Sequence, residues 1–342
     1  MLLLRWLLFP FAILYGVVVG IRNQLFDTYI LSSQTPSIPS ICIGNLSVGG
    51  TGKSPITNYL IQLLKDEQHV IVLSRGYGRK SKGFRIVKES NTSQEVGDEP
   101  LAYKLEHKQD ITVAIAEKRW AGIKQLNLDD EKSVLLLDDA FQHRAVKTGL
   151  SILLSTYTSP FYEDYLLPFG RLREARSGAN RADIIVITKC PDTLNDDEKK
   201  SIYSNLLKYK KPVFFSKIVY SPIRAIGKII TSDIEHVLLV SGIANPTPLL
   251  NHLQTTYETT HLNFADHHDF NPFDLATIHK KFDTFAKQKA IIVTTFKDYM
   301  RLKNIFDEKE LELYPWYIQE MSLIIENENE FNKLIRNYVR KI

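Results

Sequence analysis

The residues best suited to chemistry come early in the chain. Ser47-Val48-Gly49-Gly50-Thr51-Gly52-Lys53-Ser54 stands between a short apolar run and a stretch from Pro55 to Lys65 with helical spacing. In such a strand, loop and helix, glycines let backbone N–H groups face phosphate oxygens, the lysine reaches the terminal phosphates, and the neighbouring hydroxyl can ligate Mg²⁺. Gly49, Gly50, Thr51, Gly52, Lys53 and Ser54 are therefore the expected nucleotide contacts. Ser47 stands where the motif usually has glycine, and a glycine-rich turn before a helix is the bland alternative. The order of strand, loop, Lys-Ser and helix favours the nucleotide. Proline after Ser54 is tolerated because the first helical turn has no use for its missing N–H.

Val134-Leu135-Leu136-Leu137-Asp138-Asp139 supplies a second signal, an apolar strand ending in two carboxylates. In phosphate-loop enzymes an aspartate at such a strand end holds Mg²⁺ directly or through water. The Ser54 hydroxyl and the Asp138-Asp139 pair are the metal ligands expected from these two segments. Thr188-Lys189-Cys190-Pro191-Asp192 is one position away from a guanine-reading segment, which keeps a nucleotide-dependent switch open as an alternative. His267-His268, flanked by Asp266 and Asp269, admits a metal site or a loop role. Asp98 alone would read as a turn or helix-capping residue.

Positioning these residues needs a folded α/β frame, and a chain of 342 residues with 44% apolar and 24% charged side chains has the material for it. Strands are expected at Ile38 to Ile43, Val70 to Leu73, Thr112 to Ala116, Val134 to Leu137, Ile152 to Leu154, Ile184 to Thr188 and Val213 to Phe215. Each is short and almost uninterruptedly apolar, as in a parallel sheet covered on both faces. A second set follows at Val237 to Val240, His261 to Phe264 and Ile291 to Thr294, with a helix over Phe273 to Gln288. The fold class is thus a mostly parallel phosphate-loop sheet domain plus a smaller α/β domain, with divisions at 1–30, 36–222 and 223–342.

The first segment is different in kind. Leu2 to Ile21 carries one charge, Arg5, among Trp6, Phe9, Phe11 and Tyr15, and about 20 apolar residues can cross a bilayer as a helix. A secretory signal would look similar, but Gly20-Ile21-Arg22-Asn23 has no small-x-small cleavage pattern. Pro10 is compatible with a span or with an interfacial helix. A net charge of +4 is too small to argue for nucleic acid and suits an anionic substrate or membrane surface. Cys42 and Cys190 lie in apolar runs, which argues against a disulfide scaffold and for a reducing compartment.

Several blocks taken together carry a resemblance. Gly44-Asn45-Leu46-Ser47 leading into the phosphate loop, Ser74-Arg75-Gly76-Tyr77-Gly78-Arg79, Gly97-Asp98-Glu99-Pro100, Asp138-Asp139-Ala140-Phe141-Gln142-His143-Arg144, Leu167-Pro168-Phe169-Gly170-Arg171-Leu172-Arg173-Glu174 and Asp266-His267-His268 occur in one order along the chain. In these blocks the sequence resembles the tetraacyldisaccharide 4'-kinases, and it departs from them at Phe296, where the family commonly has Glu.

The resemblance implies two α/β domains with the active site between them. It implies transfer of the ATP γ-phosphate to the 4'-hydroxyl of a tetraacylated glucosamine disaccharide 1-phosphate, giving lipid IV-A, at the cytoplasmic face of the bacterial inner membrane. ATP and Mg²⁺ are the implied cofactors, with Glu99 joining Ser54, Asp138 and Asp139 in the metal shell, and the partners are the acylated substrate and membrane lipid, with no obligate protein partner. Asp98 becomes the candidate base with His267 beside it, while Lys53 serves the phosphates. Tyr77, Arg119, Gln142, His143, Arg171 and Glu174 are candidate substrate or phosphate contacts, the arginines because a guanidinium can bond two phosphate oxygens. A metallochaperone-like GTPase would explain the loop, the Asp pair and the histidines but neither the apolar start nor the Asp98 block. An inactive binding protein would explain Phe296 but not the retention of Lys53, Ser54, Asp98 and Asp139.

Overall fold

A computed structural model describes residues 6–126, 128, 132–285, 289–307 and 309–340. Residues 1–5, Arg5 among them, lie outside the described residues.

In chain order the first unit contains helix α1 (Phe9–Asp27), β1 (Ser40–Asn45), α2 (Lys53–Leu64), β2 (His69–Ser74), β3 (Arg85–Ile86), α3 (Asp98–His107), β4 (Ile111–Ile115), α4 (Arg119–Ile123), β5 (Ser133–Asp138), β6 (Leu150–Thr156), β7 (Ile184–Thr188), α5 (Asp196–Leu206) and β8 (Val213–Tyr220). The second contains β9 (Arg224–Ala225), β10 (His236–Ser241), α6 (Thr247–Gln254), β11 (Glu258–Asn263), α7 (Pro272–Phe282), β12 (Ala290–Thr295), α8 (Phe296–Leu302) and β13 (Trp316–Gln319). The chain ends with β14 (Met321–Ile325) and α9 (Glu328–Arg340).

The large sheet runs β14-β8-β7-β6-β1-β5-β2-β4-β3. Its inner pairs are parallel, from β8 through to β4, and β3 closes one edge antiparallel. Every residue of β1 and β5 is buried, which is why both read as unbroken apolar runs. The strand order reverses at β1, since β5 and β6 flank it on opposite sides. Ligands of open parallel sheets bind outside the carboxyl ends of the strands at such a switch point, and the phosphate loop leaves β1 there. Helix α2 anchors that loop by burying Ile56, Leu60, Ile61 and Leu64 on one stripe.

The second unit is a five-stranded sheet, β11-β10-β12-β13-β9, parallel except for β9. Separate apolar cores, around Val237 and Leu239 and around Leu238 and Trp316, cover its two faces. The expected helix from Phe273 ends sooner, with α7 giving way to a 3-10 turn at Asp283–Phe285; residues 286–288 lie outside the described residues.

The C-terminal boundary differs from the expected 223–342. The second compact unit is Val219–Ser322, and residues from Leu323 onward return to the first. Helix α9 buries Phe331, Ile335 and Val339, spaced by four, and the Tyr338 hydroxyl donates to the Ser40 carbonyl at 3.1 Å and accepts from its N–H at 3.0 Å. The periodicity says that this helix must cover a sheet, while only packing decides which sheet.

Helix α1 is long and apolar enough to cross a membrane by length and composition, a test that signal sequences and core helices also pass. Only Ala12 along it is buried, and Phe11, Ile13, Leu14, Val17, Val18 and Ile21 are exposed. Its polar positions behave otherwise, as the site makes plain.

Candidate active site

The phosphate loop is shaped by two glycines in the left-handed region, Gly49 (φ 103°) and Gly52 (φ 84°), where side chains are strained. Neighbouring strands hold it from outside. Thr188 at the end of β7 donates to the Thr51 carbonyl at 2.9 Å, and Lys189 Nζ donates to the Gly50 carbonyl at 2.6 Å. Burial and the nearby Lys53 lower the Lys189 pKa. Asp192 is paired with Lys217 at 2.6 Å, so the near-match to a guanine-reading segment places its lysine, and not its carboxylate, on the loop.

The Leu167–Glu174 block braces the loop from the other side. Val48 N–H donates to the Arg171 carbonyl at 2.8 Å and Arg173 N–H to the Leu46 carbonyl at 2.7 Å, around a bridge between Ser47 and Leu172. Ser47 therefore serves in a short antiparallel pairing, a role open to any L-residue.

Lys53 and Ser54 open α2, and Lys53 Nζ lies 3.8 Å from Asp139 Oδ1. Asp138 ends β5 and is buried; burial first, then the charges of Asp139 and Glu99, push its pKa up to about 6. Asp139 is more accessible, and although burial works against ionisation, Lys53 and Arg173 hold its pKa below the ordinary range. Three carboxylates thus bear on one another with too little positive charge to satisfy Asp138. Among the described residues, however, no three His, Cys, Asp or Glu side chains gather closely enough to hold a metal ion, so the expected shell of Ser54, Asp138, Asp139 and Glu99 is not assembled as a ready ligand set.

Asp98 is the first residue of α3, preceded by Gly97 at φ 91°, and is buried. A carboxylate there is favoured by the helix N-terminus. Gly97 allows the Ser74–Arg79 and Gly97–Pro100 blocks to meet, since a Cβ on it would fall 3.0 Å from Gly76 Cα and from the Tyr77 carbonyl oxygen.

Beside Asp139 opens a cavity of about 260 Å³ lined by Tyr15, Val19, Arg22, Asn23, Arg75, Asp139, Gln142, His143, Arg173 and Glu174. Arg173 bonds Asp139 Oδ1 at 2.9 Å and also the Asn45 side chain. Glu174 is buried and accepts from Gln142 Nε2 (2.9 Å), Asn23 Nδ2 (2.9 Å) and Arg181 (2.8 Å). Tyr15 donates to the Arg173 carbonyl at 2.7 Å and Arg22 to the Gln142 carbonyl at 3.0 Å. Burial, then Arg119 and Arg75, bring the His143 pKa down to about 4, so the ring is neutral at pH 7. Asn23 Oδ1, Gln142 Oε1 and Arg173 Nε are buried without a protein partner. Two acceptors and a donor left in a polar cavity suit a ligand rich in hydroxyls.

Of the expected contacts, the structure brings Gln142, His143 and Glu174 together here and leaves three elsewhere. Arg119 is 1% exposed and donates to the carbonyls of Ala116 (2.6 Å) and Asp138 (3.0 Å), so it clamps the end of β5 instead of facing phosphate. Arg171 is exposed and paired with Asp164 at 2.9 Å; its backbone, not its side chain, serves the loop. Tyr77 is 72% exposed and lies outside the cavity lining. Arg173, and not Arg171, lines the cavity. Tyr15, Arg22 and Asn23 were missed, although their spacing puts three polar residues on one face of an apolar helix, a legible signal.

In the second unit, His268 is committed to Asp274 at 2.9 Å and packs on Phe264 and Phe270. His267 faces Arg301, whose guanidinium lies 3.1 Å from Nδ1. Among the described residues no three His, Cys, Asp or Glu gather around either histidine as metal ligands would.

The comparisons agree with one another. The profile of the family described as tetraacyldisaccharide-1-P 4'-kinase (LpxK) matches residues 4–340. The chain is 43% identical to the tetraacyldisaccharide 4'-kinase of Flavobacterium johnsoniae over 99% of this chain and 98% of that protein. It is 41% identical to that of Bacteroides thetaiotaomicron, over 98% and 93%. A crystal structure of LpxK from Aquifex aeolicus in complex with ATP superposes with a TM-score of 0.75 at 28% identity, covering 98% of this chain and 99% of the other. With the fold, the order of the blocks and nearly full-length matches all in accord, the chain belongs to the tetraacyldisaccharide-1-P 4'-kinase family.

Proposed function

We propose that this protein transfers the γ-phosphate of ATP to the 4'-hydroxyl of a tetraacylated glucosamine disaccharide 1-phosphate at the cytoplasmic face of the inner membrane. The observation that carries the reading is the cavity shared by the polar edge of α1 and Asp139, which is 3.8 Å from the phosphate-loop Lys53. A sugar headgroup held there would meet the phosphates while its acyl chains ran along the apolar side of α1. Trp6, Phe9 and Tyr165 continue that apolar surface around Phe169, with ring centroids 5.3 to 5.5 Å from it.

In the reaction a new bond forms between the acceptor oxygen and the γ-phosphorus, and the bond from that phosphorus to the β–γ bridging oxygen breaks, releasing ADP. Such transfer depends on positioning and on neutralising the charge of the transferred group. The phosphate-loop N–H groups and Lys53 do this directly. Asp98 takes the proton of the attacking hydroxyl, and His267 is the second candidate acid–base residue. Mg²⁺ bound by Ser54, Asp138, Asp139 and Glu99 would add charge neutralisation across the phosphates. Arg22, Arg75 and Arg173 give the acceptor cavity a cationic lining that suits a phosphorylated sugar.

The test is a transfer assay with labelled ATP, Mg²⁺, detergent and the tetraacyldisaccharide 1-phosphate, beside an acceptor-free control and GTP. Label on the lipid with ATP, lost in Lys53→Ala and in Asp98→Asn, is expected. Free phosphate released regardless of acceptor, or faster turnover with GTP, overturns the reading.

A further inference from the structure

One buried charged pair in the second unit has no part in the reaction described so far. Thr295, at the end of β12, caps α8: its Oγ1 accepts from the Asp298 N–H at 3.1 Å and donates to Asp298 Oδ2 at 2.8 Å. The Gly242 N–H donates to the same oxygen at 3.0 Å. Asp298 Oδ1 accepts from Arg301 Nη1 at 3.1 Å, one helical turn on. Asp298 is 0% and Arg301 6% exposed, so neither has the freedom of a surface ion pair. The second nitrogen of the guanidinium lies 3.1 Å from His267 Nδ1. His267 itself is fixed by its own N–H on the Gly242 carbonyl at 3.0 Å, in a left-handed conformation (φ 59°).

A guanidinium has only donors, so the atom it meets must accept. His267 Nδ1 therefore carries no proton, and the imidazole is neutral with its hydrogen on Nε2. A doubly protonated ring would set N–H against N–H and cation against cation at hydrogen-bond distance. We infer that Arg301, held in place by the buried Asp298, is a positioning residue that fixes the Nε2–H tautomer of His267. This rests on the proposed acid–base role of His267, for which Nε2–H is the useful form: it can donate to a carboxylate without competing for the proton that the carboxylate takes. The arrangement forms with Phe296 as the first residue of α8, so the departure from the family pattern at that position leaves Asp298 and Arg301 in register.

The experiment uses the full chain in detergent micelles with ¹⁵N-histidine, His267 being assigned from the spectrum of His267→Gln. Long-range ¹H–¹⁵N correlations at neutral pH are expected to give His267 an unprotonated Nδ1 and a protonated Nε2. Protonation at Nδ1, alone or together with Nε2, overturns the inference without any variant of Arg301. Arg301→Met should convert His267 to a tautomer mixture. It should also lower kcat by at least tenfold with KM for ATP unchanged, a loss bounded by the roughly 10⁴-fold cost of a wrong histidine tautomer in a serine-protease triad. An unchanged tautomer and kcat in that variant overturns it equally. If stranding Asp298 prevents folding, Arg301→Met combined with Asp298→Asn removes both charges and is read the same way. Full turnover in His267→Ala would refute the role of His267 in the reaction, whereas the wild-type spectrum still decides whether Arg301 fixes its tautomer.

Discussion

Glu174→Gln is the sharpest single test of how α1 is joined to the catalytic face. The carboxylate is 2% exposed and gathers three donors: Gln142 and Asn23 at 2.9 Å and Arg181 at 2.8 Å to both oxygens. Glutamine preserves the shape but turns one oxygen into a donor facing donors and removes the charge opposite Arg181. Hydrogen bonds to a charged group contribute about 1.5–3 kcal/mol each, and breaking a buried ion pair costs about 3–5 kcal/mol. Arg181 is 25% exposed and recovers some hydration, so the lower end applies and the expected loss is roughly 3 kcal/mol. It should fall on the first unit alone. Urea unfolding followed by hydrogen exchange should show lost protection in the Leu167–Arg176 segment and in α1, with β10 and β12 unchanged. Because Asn23 and Gln142 line the cavity proposed for the acceptor, KM for the lipid should rise while KM for ATP stays put. A destabilisation below about 0.5 kcal/mol, the level of a neutral surface change, would refute the reasoning. So would a loss of protection confined to the second unit.

Three further outcomes follow from the same structure. Burial, then Lys65, lowers the His107 pKa to about 4, so on acidification the unfolded chain takes a proton near pH 6.5 while the folded chain does not; the stability present above pH 6.5 is lost as pH falls toward 4, by at most about 3 kcal/mol. Urea titrations of wild type and His107→Gln from pH 7 to 4.5 should differ by that slope, and parallel curves would contradict it. Gly97→Ala forces a side chain into the left-handed region 3.0 Å from Gly76 Cα, costing about 1–3 kcal/mol, and should move Asp98 enough to lower kcat while nucleotide binding measured by calorimetry persists. Mg²⁺ should raise the unfolding temperature of the wild type at pH 7.5 and do so far less in Asp138→Asn, because the variant no longer carries the surplus negative charge at the end of β5.

Much of this was legible in the sequence because it is local. A strand, a glycine loop, Lys-Ser and a helix are contiguous, and each part has a backbone reason to be there: Gly49 and Gly52 do adopt the left-handed region and β1 and β5 are buried throughout. Short parallel strands are apolar on both faces, so β1, β2, β4 to β8 and β10 to β12 were found within a few residues of their ends, whereas β13 and β14 were not read as strands. The two-residue strands β3 and β9 were not, since two exposed or half-buried residues carry no period.

Only the tertiary structure could decide what depends on residues far apart in the chain. Tyr15 reaches Arg173 across 158 positions and Asn23 reaches Glu174 across 151, turning an apolar helix into one wall of a polar cavity. Both Arg171 and Arg173 have the guanidinium that phosphate chemistry uses, yet Asp164 captures one and Asp139 the other. Arg119 has the same side chain and spends it on backbone carbonyls beneath β5. The return of α9 to the first sheet and the approach of Arg301 to His267 are of the same kind. The sequence by itself determined which chemical groups were present and which local backbones could form; which partner each charge meets was decided by packing, because an ion or hydrogen-bond donor is satisfied by whatever the fold brings within about 3 Å.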